Sequence, residues 1–311
     1  MATSTRWNGR AVAAPLSLVA SPSARNAVNA IEIDGITKDF SPSLFGAKVR
    51  ALDGVTLRIG AGEVMGLLGP NGSGKSTLLK IVVGLLAPTA GACRLEGMPS
   101  GRPEARQGMG YMPEAPDFCP HLTGFELVLF HARLGVAPRA GMKERAEAVI
   151  AAVGLVEVMH RRIGTYSQGM RQRLGLAQAL VTDPRVLVLD EPTAGIDPVG
   201  AMEISGIINQ FRTQGRTVLL SSHSTGQIED LCDRVALLDH GRLVLQERVD
   251  DLAPRGQTAL LVDSLPEEML GELRGWLQSR GVALHGVEIP RARLERVFME
   301  RVGRRGKGGD K

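Results

Sequence analysis

The residues at positions 69–77 read Gly69-Pro70-Asn71-Gly72-Ser73-Gly74-Lys75-Ser76-Thr77. They fit the pattern G-x-x-x-x-G-K-[ST], in which glycines let backbone N–H groups wrap around phosphate oxygens. An apolar run at 63–68 predicts a buried strand before them, and the pattern of 75–86 predicts a buried helix after them. The positive N-terminal end of that helix would face the same anion. The stretch therefore predicts a phosphate-binding loop in an α/β fold, with Lys75 reaching the β- and γ-phosphates and Ser76 binding Mg²⁺.

A second stretch carries two carboxylates to the end of a predicted strand. It reads Val186-Leu187-Val188-Leu189-Asp190-Glu191. In open parallel sheets, ligands bind at the carboxyl ends of the strands. We expect Asp190 to hold Mg²⁺ and Glu191 to polarise the attacking water as a general base.

The remaining patterns indicate the architecture around these two stretches. Apolar runs at 217–221 and 235–238 predict further strands, and strands that alternate with helices indicate a parallel sheet covered by helices. Residues 31–37 and 51–59 alternate like strands with one exposed face, which predicts an antiparallel layer attached to that sheet. Residues 121–181 are mostly helical in pattern, with breaks at 135–141 and at Gly164.

A third stretch predicts the start of a helix. It reads Tyr166-Ser167-Gln168-Gly169-Met170-Arg171-Gln172-Arg173. Ser167 is a favourable N-cap residue, and a helix N-terminus that presents Ser and Gly is a second anion-binding device. By itself, however, the stretch favours an ordinary capped helix.

Taken in order, these motifs resemble those of the nucleotide-binding subunits of ABC (ATP-binding cassette) transporters. Residues 69–77 resemble the phosphate loop (Walker A) of that family and 186–191 its Walker B strand. Residues 167–171 resemble the start of its signature helix, and the signature has the variant YSQGM at 166–170. The resemblance covers about residues 31–248. It implies an ABC cassette of the phosphate-loop NTPase class, with a parallel-sheet core, an antiparallel β layer and a helical subdomain, and it implies Mg-dependent hydrolysis of ATP.

The resemblance also assigns single residues. Glu114 stands where the family usually has the glutamine of its Q-loop, His223 resembles the switch histidine that senses the γ-phosphate, and Phe40 takes the place of the adenine-stacking aromatic residue, with Phe45 as a rival. The implied catalytic residues are Lys75, Glu191 and His223. The implied Mg²⁺ ligands are Ser76, Glu114 and Asp190. The implied nucleotide-binding residues are Phe40, Gly69, Pro70, Asn71, Gly72, Ser73, Gly74, Lys75, Ser76, Thr77, Glu114, Ser167, Gln168, Gly169, Asp190 and Asp197 of the D-loop.

The count of motifs predicts the partners. The chain has one phosphate loop and one signature, whereas ATP in this family lies between the loop of one subunit and the signature of another. The resemblance therefore implies a second ATPase subunit, in a homo- or heterodimer. No apolar run approaches the ~18 residues of a membrane-spanning helix. We therefore expect separate transmembrane permease subunits, contacted by residues 114–130, and a cytoplasmic location on the inner face of the cell membrane.

Composition divides the chain into segments. We predict a disordered extension at 1–30, an ABC ATPase domain at 31–248 with its helical subdomain at about 115–181, a small α/β appendage at 249–302 and a basic disordered tail at 303–311. A signal peptide with a weak apolar region inside the first segment is the less favoured alternative. Within the appendage, the patterns predict a strand at 258–262, a helix at 266–278, a strand at 282–289 and a helix at 291–302.

Charge and the C-terminal residues narrow the function. The net charge of +4 comes from the two ends, and the body between residues 30 and 291 carries an excess of acid, so we expect no nucleic-acid partner. Three scattered cysteines show no metal spacing. The ending at 294–299 resembles ATPases that serve exporters, which favours an exporter. The alternatives are an ATPase for copper-site assembly of nitrous oxide reductase, a non-transport ABC ATPase acting on ribosomes or DNA, and a degenerate regulatory cassette.

Overall fold

The structure is a computed structural model that describes residues 29–41, 48–135, 141–252, 266–282 and 284. Its strands are β1 Asn29–Phe40, β2 Val49–Gly60, β3 Val64–Leu68, β4 Ala90–Leu95, β5 Met98–Pro99, β6 Met109–Met112, β7 Val186–Asp190, β8 Thr217–Ser222, β9 Arg234–Asp239 and β10 Arg242–Arg248. Its α-helices are α1 Lys75–Val82, α2 Gly124–Leu134, α3 Met142–Ala152, α4 Gln168–Leu180, α5 Pro198–Thr213, α6 Thr225–Leu231 and α7 Glu267–Ser279.

A six-stranded sheet forms the centre, in the order β10-β9-β3-β8-β7-β6. Five neighbouring strands run parallel, from β9 to β6, and only the edge strand β10 is antiparallel to its neighbour. Because parallel strands end at the same edge of a sheet, the residues that follow β3, β7 and β8 lie side by side. The fold thereby brings together the two motifs that the sequence separates.

The central sheet is buried on both faces, which explains its continuous apolar runs. Along β3, Val64 and Leu68 belong to a core shared with the helical part of the chain. The alternating residues Met65 and Leu67 belong to a second core, shared with α1 and the antiparallel sheet.

The predicted antiparallel layer is present as a separate four-stranded sheet, in the order β2-β1-β4-β5. Ile31, Ile33 and Ile36 of β1 are fully buried. Ile31 and Ile33 agree with the one-sided alternation of the sequence, and Ile36 joins them on the core side because the register shifts between Ile33 and Ile36. Both long strands extend beyond the predicted ranges 31–37 and 51–59.

The helical segment contains α2, α3 and α4, as the periodicity of 121–181 predicts. Helix α2 begins with a capping box, in which Thr123 accepts a hydrogen bond from the N–H of Glu126 and the Glu126 carboxylate accepts one from the N–H of Thr123.

The predicted helix at 75–86 is too long, because α1 ends at Val82. Gly84 follows in a left-handed conformation with φ +69°, and a Cβ at this position would lie 2.3 Å from the carbonyl oxygen of Ser100. The helix ends here in a Schellman motif, in which Gly84 N–H donates to the Ile81 carbonyl at 3.0 Å and Leu85 N–H donates to the Lys80 carbonyl at 2.9 Å. The edge strand β10 is a further element that the sequence patterns did not reveal.

Helix α7 confirms the predicted helix at 266–278 with a shift of one residue at each end. The predicted strand at 258–262, most of that at 282–289, the predicted helix at 291–302, the basic tail and residues 1–28 of the predicted extension lie outside the described residues. Asn29 and Ala30, which were predicted to belong to that extension, are instead the first residues of β1. The division into domains otherwise stays a prediction. Within the part of the chain that the structure describes, no helix is both long enough and apolar enough to cross a membrane.

Candidate functional site

The phosphate loop connects β3 to α1, as predicted. The buried ammonium group of Lys75 folds back over the loop and donates hydrogen bonds to the carbonyl oxygens of Gly69, at 2.7 Å, and Pro70, at 3.3 Å. Gly74 has φ +105°, and a Cβ there would lie 2.7 Å from the carbonyl oxygen of Ala51. A side chain at this position would therefore be both strained and in collision.

The antiparallel layer and the turn after β9 hold the loop from the side. Gly241 N–H donates to the Ser73 carbonyl at 2.9 Å, and Asp53 N–H donates to the Gly241 carbonyl at 2.9 Å. Phe40 lies at the end of β1, paired with Val49 of the same sheet. Its ring is partly exposed, with Lys38 Nζ 5.2 Å from the ring centre. No described hydrogen bond or ring contact joins Phe40 to the loop, and Phe45 lies outside the described residues.

Two buried carboxylates lie at the end of β7, with Asp190 as its last residue and Glu191 directly after it. Ser221 Oγ on the neighbouring strand β8 donates to Asp190 Oδ1 at 2.6 Å and accepts from Glu191 N–H at 2.9 Å. All three residues are buried. Ser221 was not among the predicted site residues, although its place two residues before His223 was a usable signal.

Glu191 connects three parts of the chain that are distant in sequence. Its Oε2 lies 2.8 Å from Nδ1 of His223, which follows β8, and its Oε1 lies 3.9 Å from Nζ of Lys75. The imidazole is exposed, whereas the carboxylate and the ammonium group are buried. The structure thus places all three predicted catalytic residues in one cluster.

Helix α4 reaches this cluster through a residue that the sequence analysis did not single out. Gln172 Nε2 donates to the carbonyl oxygens of Glu114, at 3.2 Å, and Glu191, at 3.1 Å. Gln172 is buried, while Glu114 itself is exposed. The sequence signal for Gln172 was its position as a single polar residue on the otherwise apolar inner face of α4.

The signature residues lie at the start of α4. Ser167 is the N-cap, accepting from Met170 N–H at 3.2 Å, and both Ser167 and Gln168 are exposed. The Gln168 amide packs over Gly195, where a Cβ would lie 2.2 Å from Gln168 Nε2. Asp197 caps α5 by accepting from the N–H of Gly200 at 3.0 Å. The described contacts of Ser167 and Gln168 do not extend to the phosphate loop.

The predicted ligands suit a magnesium–nucleotide complex. Ser76 and Asp190 offer the oxygen donors that Mg²⁺ prefers. The buried hydroxyl of Ser73, inside the loop, has no hydrogen-bond partner, which leaves a donor for a phosphate oxygen. Among the described residues no group of three or more His, Cys, Asp or Glu could hold a metal ion.

The sequence matches two family profiles in the central part of the chain. The profile described as "ABC transporter" matches residues 52–194. A second profile, described as "AAA domain, putative AbiEii toxin, Type IV TA system", matches the shorter range 160–229, which contains the signature and the Glu191–His223 pair.

Curated relatives extend over most of the chain. An uncharacterized ABC transporter ATP-binding protein of Nostoc is 39% identical over 66% of this chain, which spans 62% of that relative's length. A fluoroquinolones export ATP-binding protein of Mycobacterium tuberculosis is 37% identical, and the aligned part covers 74% of each chain. The linearmycin resistance ATP-binding protein LnrL of Bacillus subtilis is 33% identical over 78% of this chain and 80% of its own.

Solved structures of ABC cassettes have the same fold as this chain. The ATP-binding subunit of an ABC transporter has a TM-score of 0.66 at 26% identity, and the match covers 80% of this chain and 99% of that one. A dimeric, ADP- and phosphate-bound cassette, MJ0796, has a TM-score of 0.65 at 24% identity over 70% of this chain and 98% of its own, and this likeness concerns the fold alone. The fold is that of an ABC ATPase cassette, and the chain belongs to the family of ATP-binding subunits of ABC transporters.

Proposed function

We propose that this chain binds ATP with Mg²⁺ and hydrolyses it to drive an ABC exporter. The observation that carries this proposal is the cluster of Lys75, Glu191 and His223 at the end of the phosphate loop. One Glu191 carboxylate oxygen lies 3.9 Å from Lys75 Nζ, and the other lies 2.8 Å from His223 Nδ1. A buried carboxylate between a cation and an imidazole is suited to orient a water molecule for attack on a phosphate.

Each residue of the cluster would have a separate task. Lys75 would exchange its carbonyl contacts for the β- and γ-phosphate oxygens, since an ammonium group binds phosphate more strongly than a neutral carbonyl. Glu191 would accept the proton of the attacking water, and His223 would hold the carboxylate and contact the γ-phosphate. Magnesium, held by Ser76, Glu114 and Asp190, would neutralise phosphate charge when bound.

The placement of the signature supports a dimer. Ser167 and Gln168 are exposed, and their described contacts do not reach the phosphate loop of their own chain. A second ATPase subunit would supply its signature to this loop, and this one would supply Ser167, Gln168 and Gly169 to the partner's loop. The dimeric state of the fold relative MJ0796 is consistent with this arrangement.

Export through separate membrane subunits is the finer part of the proposal. Two relatives are named for fluoroquinolone export and linearmycin resistance, which favours outward transport of a small molecule. The subunit would lie on the cytoplasmic face of the cell membrane and contact the permease through residues 114–130.

A hydrolysis assay with Glu191→Gln tests the catalytic proposal. The variant should bind ATP with normal affinity, lose turnover by roughly 100-fold or more, and accumulate as a dimer in the presence of ATP. Full turnover would remove Glu191 from the general-base role.

Purification from native membranes tests the transport proposal, because a membrane protein should co-purify with this chain. Co-purification of ribosomes without a membrane partner would contradict the transport proposal.

A further inference from the structure

The backbone of Glu191 has a conformation that a glutamate rarely adopts. Its φ is +49°, in the left-handed region, although the residue is neither glycine nor asparagine. Such a conformation is strained and persists only where surrounding contacts impose it. The peptide groups on both sides of Glu191 must therefore be held in place.

Ser221 holds the peptide on the N-terminal side. It lies opposite Asp190 in the register of β7 and β8, and it is fully buried. Its hydroxyl accepts from Glu191 N–H at 2.9 Å while donating to Asp190 Oδ1 at 2.6 Å. One side chain thus joins the backbone of Glu191 to the carboxylate of the preceding residue.

Gln172 holds the peptide on the C-terminal side. Its Nε2 donates to the Glu191 carbonyl at 3.1 Å, and the same oxygen accepts from Ala194 N–H at 3.1 Å within the following turn. The second hydrogen of Nε2 goes to the carbonyl of Glu114. Gln172 is buried and belongs to α4, the helix that begins at the signature.

We propose that Ser221 and Gln172 form a backbone clamp that directs the Glu191 carboxylate toward Lys75 and His223. The clamp rests on the role of Glu191 proposed above, and its members are positioning residues that act through Glu191. Gln172 belongs to the signature helix α4 and also donates to the carbonyl of Glu114, in the segment that would face the permease. A movement of that helix or of that segment would therefore change the direction of the Glu191 carboxylate.

The test measures turnover and ATP binding separately in two backgrounds. In the native background, Ser221→Ala and Gln172→Met should each lower kcat on the order of 10- to 100-fold, because a misplaced catalytic group loses that much. Their ATP affinity, measured by titration calorimetry, should change less than about threefold. In a Glu191→Gln background the same substitutions should cause no further loss of turnover, because their effect acts through the missing carboxylate.

Matched variants separate positioning from general destabilisation. Thr217→Val removes a hydroxyl that accepts from Gly62 N–H at the other end of β8, and Gln178→Met alters a half-buried glutamine later in α4. Both should keep kcat within about twofold of the native protein. Ser221→Cys leaves a side chain of similar size with a weaker hydrogen-bond donor, so its kcat should lie between those of the native protein and Ser221→Ala. If Ser221→Ala does not fold, Ser221→Cys takes its place in the test.

Two results would overturn the clamp. The first is an equal loss of turnover in the native and Glu191→Gln backgrounds, and the second is a fall in ATP affinity as large as the fall in kcat. A native turnover rate in Glu191→Gln alone would instead refute the proposed role of Glu191, so the two failures are distinguishable.

Discussion

Nδ1 of His223 lies 2.8 Å from Oε2 of Glu191, and this contact joins the ends of two neighbouring parallel strands. The carboxylate is buried and the imidazole is largely exposed, so the core fixes one partner while the other is accessible to a ligand. A ligand that reaches the imidazole can therefore change the surroundings of the carboxylate.

Replacing His223 by alanine should slow hydrolysis more than it weakens binding. We expect kcat to fall roughly 100-fold, because Glu191 loses the group that holds it, while ATP affinity changes little. Steady-state kinetics with calorimetric titration of ATP measure both. His240→Ala removes another exposed histidine, after β9, and should leave kcat unchanged. Equal kinetics in the two variants would contradict the role of His223.

Lys75→Ala should abolish tight nucleotide binding. The ammonium group lies in the phosphate loop, 3.9 Å from the Glu191 carboxylate, and would bind the phosphate oxygens of ATP. Its loss should therefore lower ATP affinity by about tenfold or more. Binding of a fluorescent ATP analogue measures this change. Lys80→Ala removes an exposed lysine from the same helix and should bind normally. Normal affinity in Lys75→Ala would refute the phosphate-loop assignment.

The glycines of the loop should differ in their tolerance of a methyl group. A Cβ at Gly74 would lie 2.7 Å from the Ala51 carbonyl, whereas at Gly72, also with positive φ, it would meet no atom within 4 Å. Gly74→Ala should lower the free energy of unfolding by about 1–3 kcal/mol more than Gly72→Ala does. Urea denaturation of both variants measures the difference, and equal values would show that the loop relaxes around the methyl group.

Phe40 offers a test of adenine stacking. The ring is 41% exposed on the sheet that supports the phosphate loop, and a stacked base contributes about 1–3 kcal/mol. Phe40→Ala should therefore weaken ATP binding at least fivefold, whereas Phe40→Tyr, which keeps an aromatic ring, should bind ATP with native affinity. Val49→Ala, opposite in the ladder, is the control. Unchanged affinity in Phe40→Ala would transfer the stacking role to another residue.

The cysteines should react unequally with a thiol reagent. Burial raises the pKa of the Cys93 thiol to about 11 and raises that of Cys232 further above its ordinary value, so both stay protonated and covered at pH 8. Cys119 is exposed. We expect rapid native labelling of Cys119 alone, full labelling after denaturation, and almost none in native Cys119→Ser. Rapid native labelling of Cys232 would contradict its burial.

Much of the site was predictable because its chemistry is local in sequence. The phosphate loop needs glycines, a lysine and a helix start in consecutive positions, and the paired carboxylates need an apolar strand directly before them. The one-sided alternation of β1 and the continuous apolar run of β3 predicted their different burial. The end of α1 also had a local signal that the prediction of 75–86 did not use, because a glycine directly after the last turn commonly ends a helix, as Gly84 does here.

The sequence by itself determined the class of chemistry, since the order of phosphate loop, signature, carboxylates and histidine resembles a single family. Only the tertiary structure decided which atoms support the carboxylates. The Ser221 hydroxyl and the Gln172 amide come from a neighbouring strand and from the signature helix, and ordinary serines and glutamines carry no mark of such a role. Their function arises from strand register and helix packing, which depend on the whole core and not on local pattern.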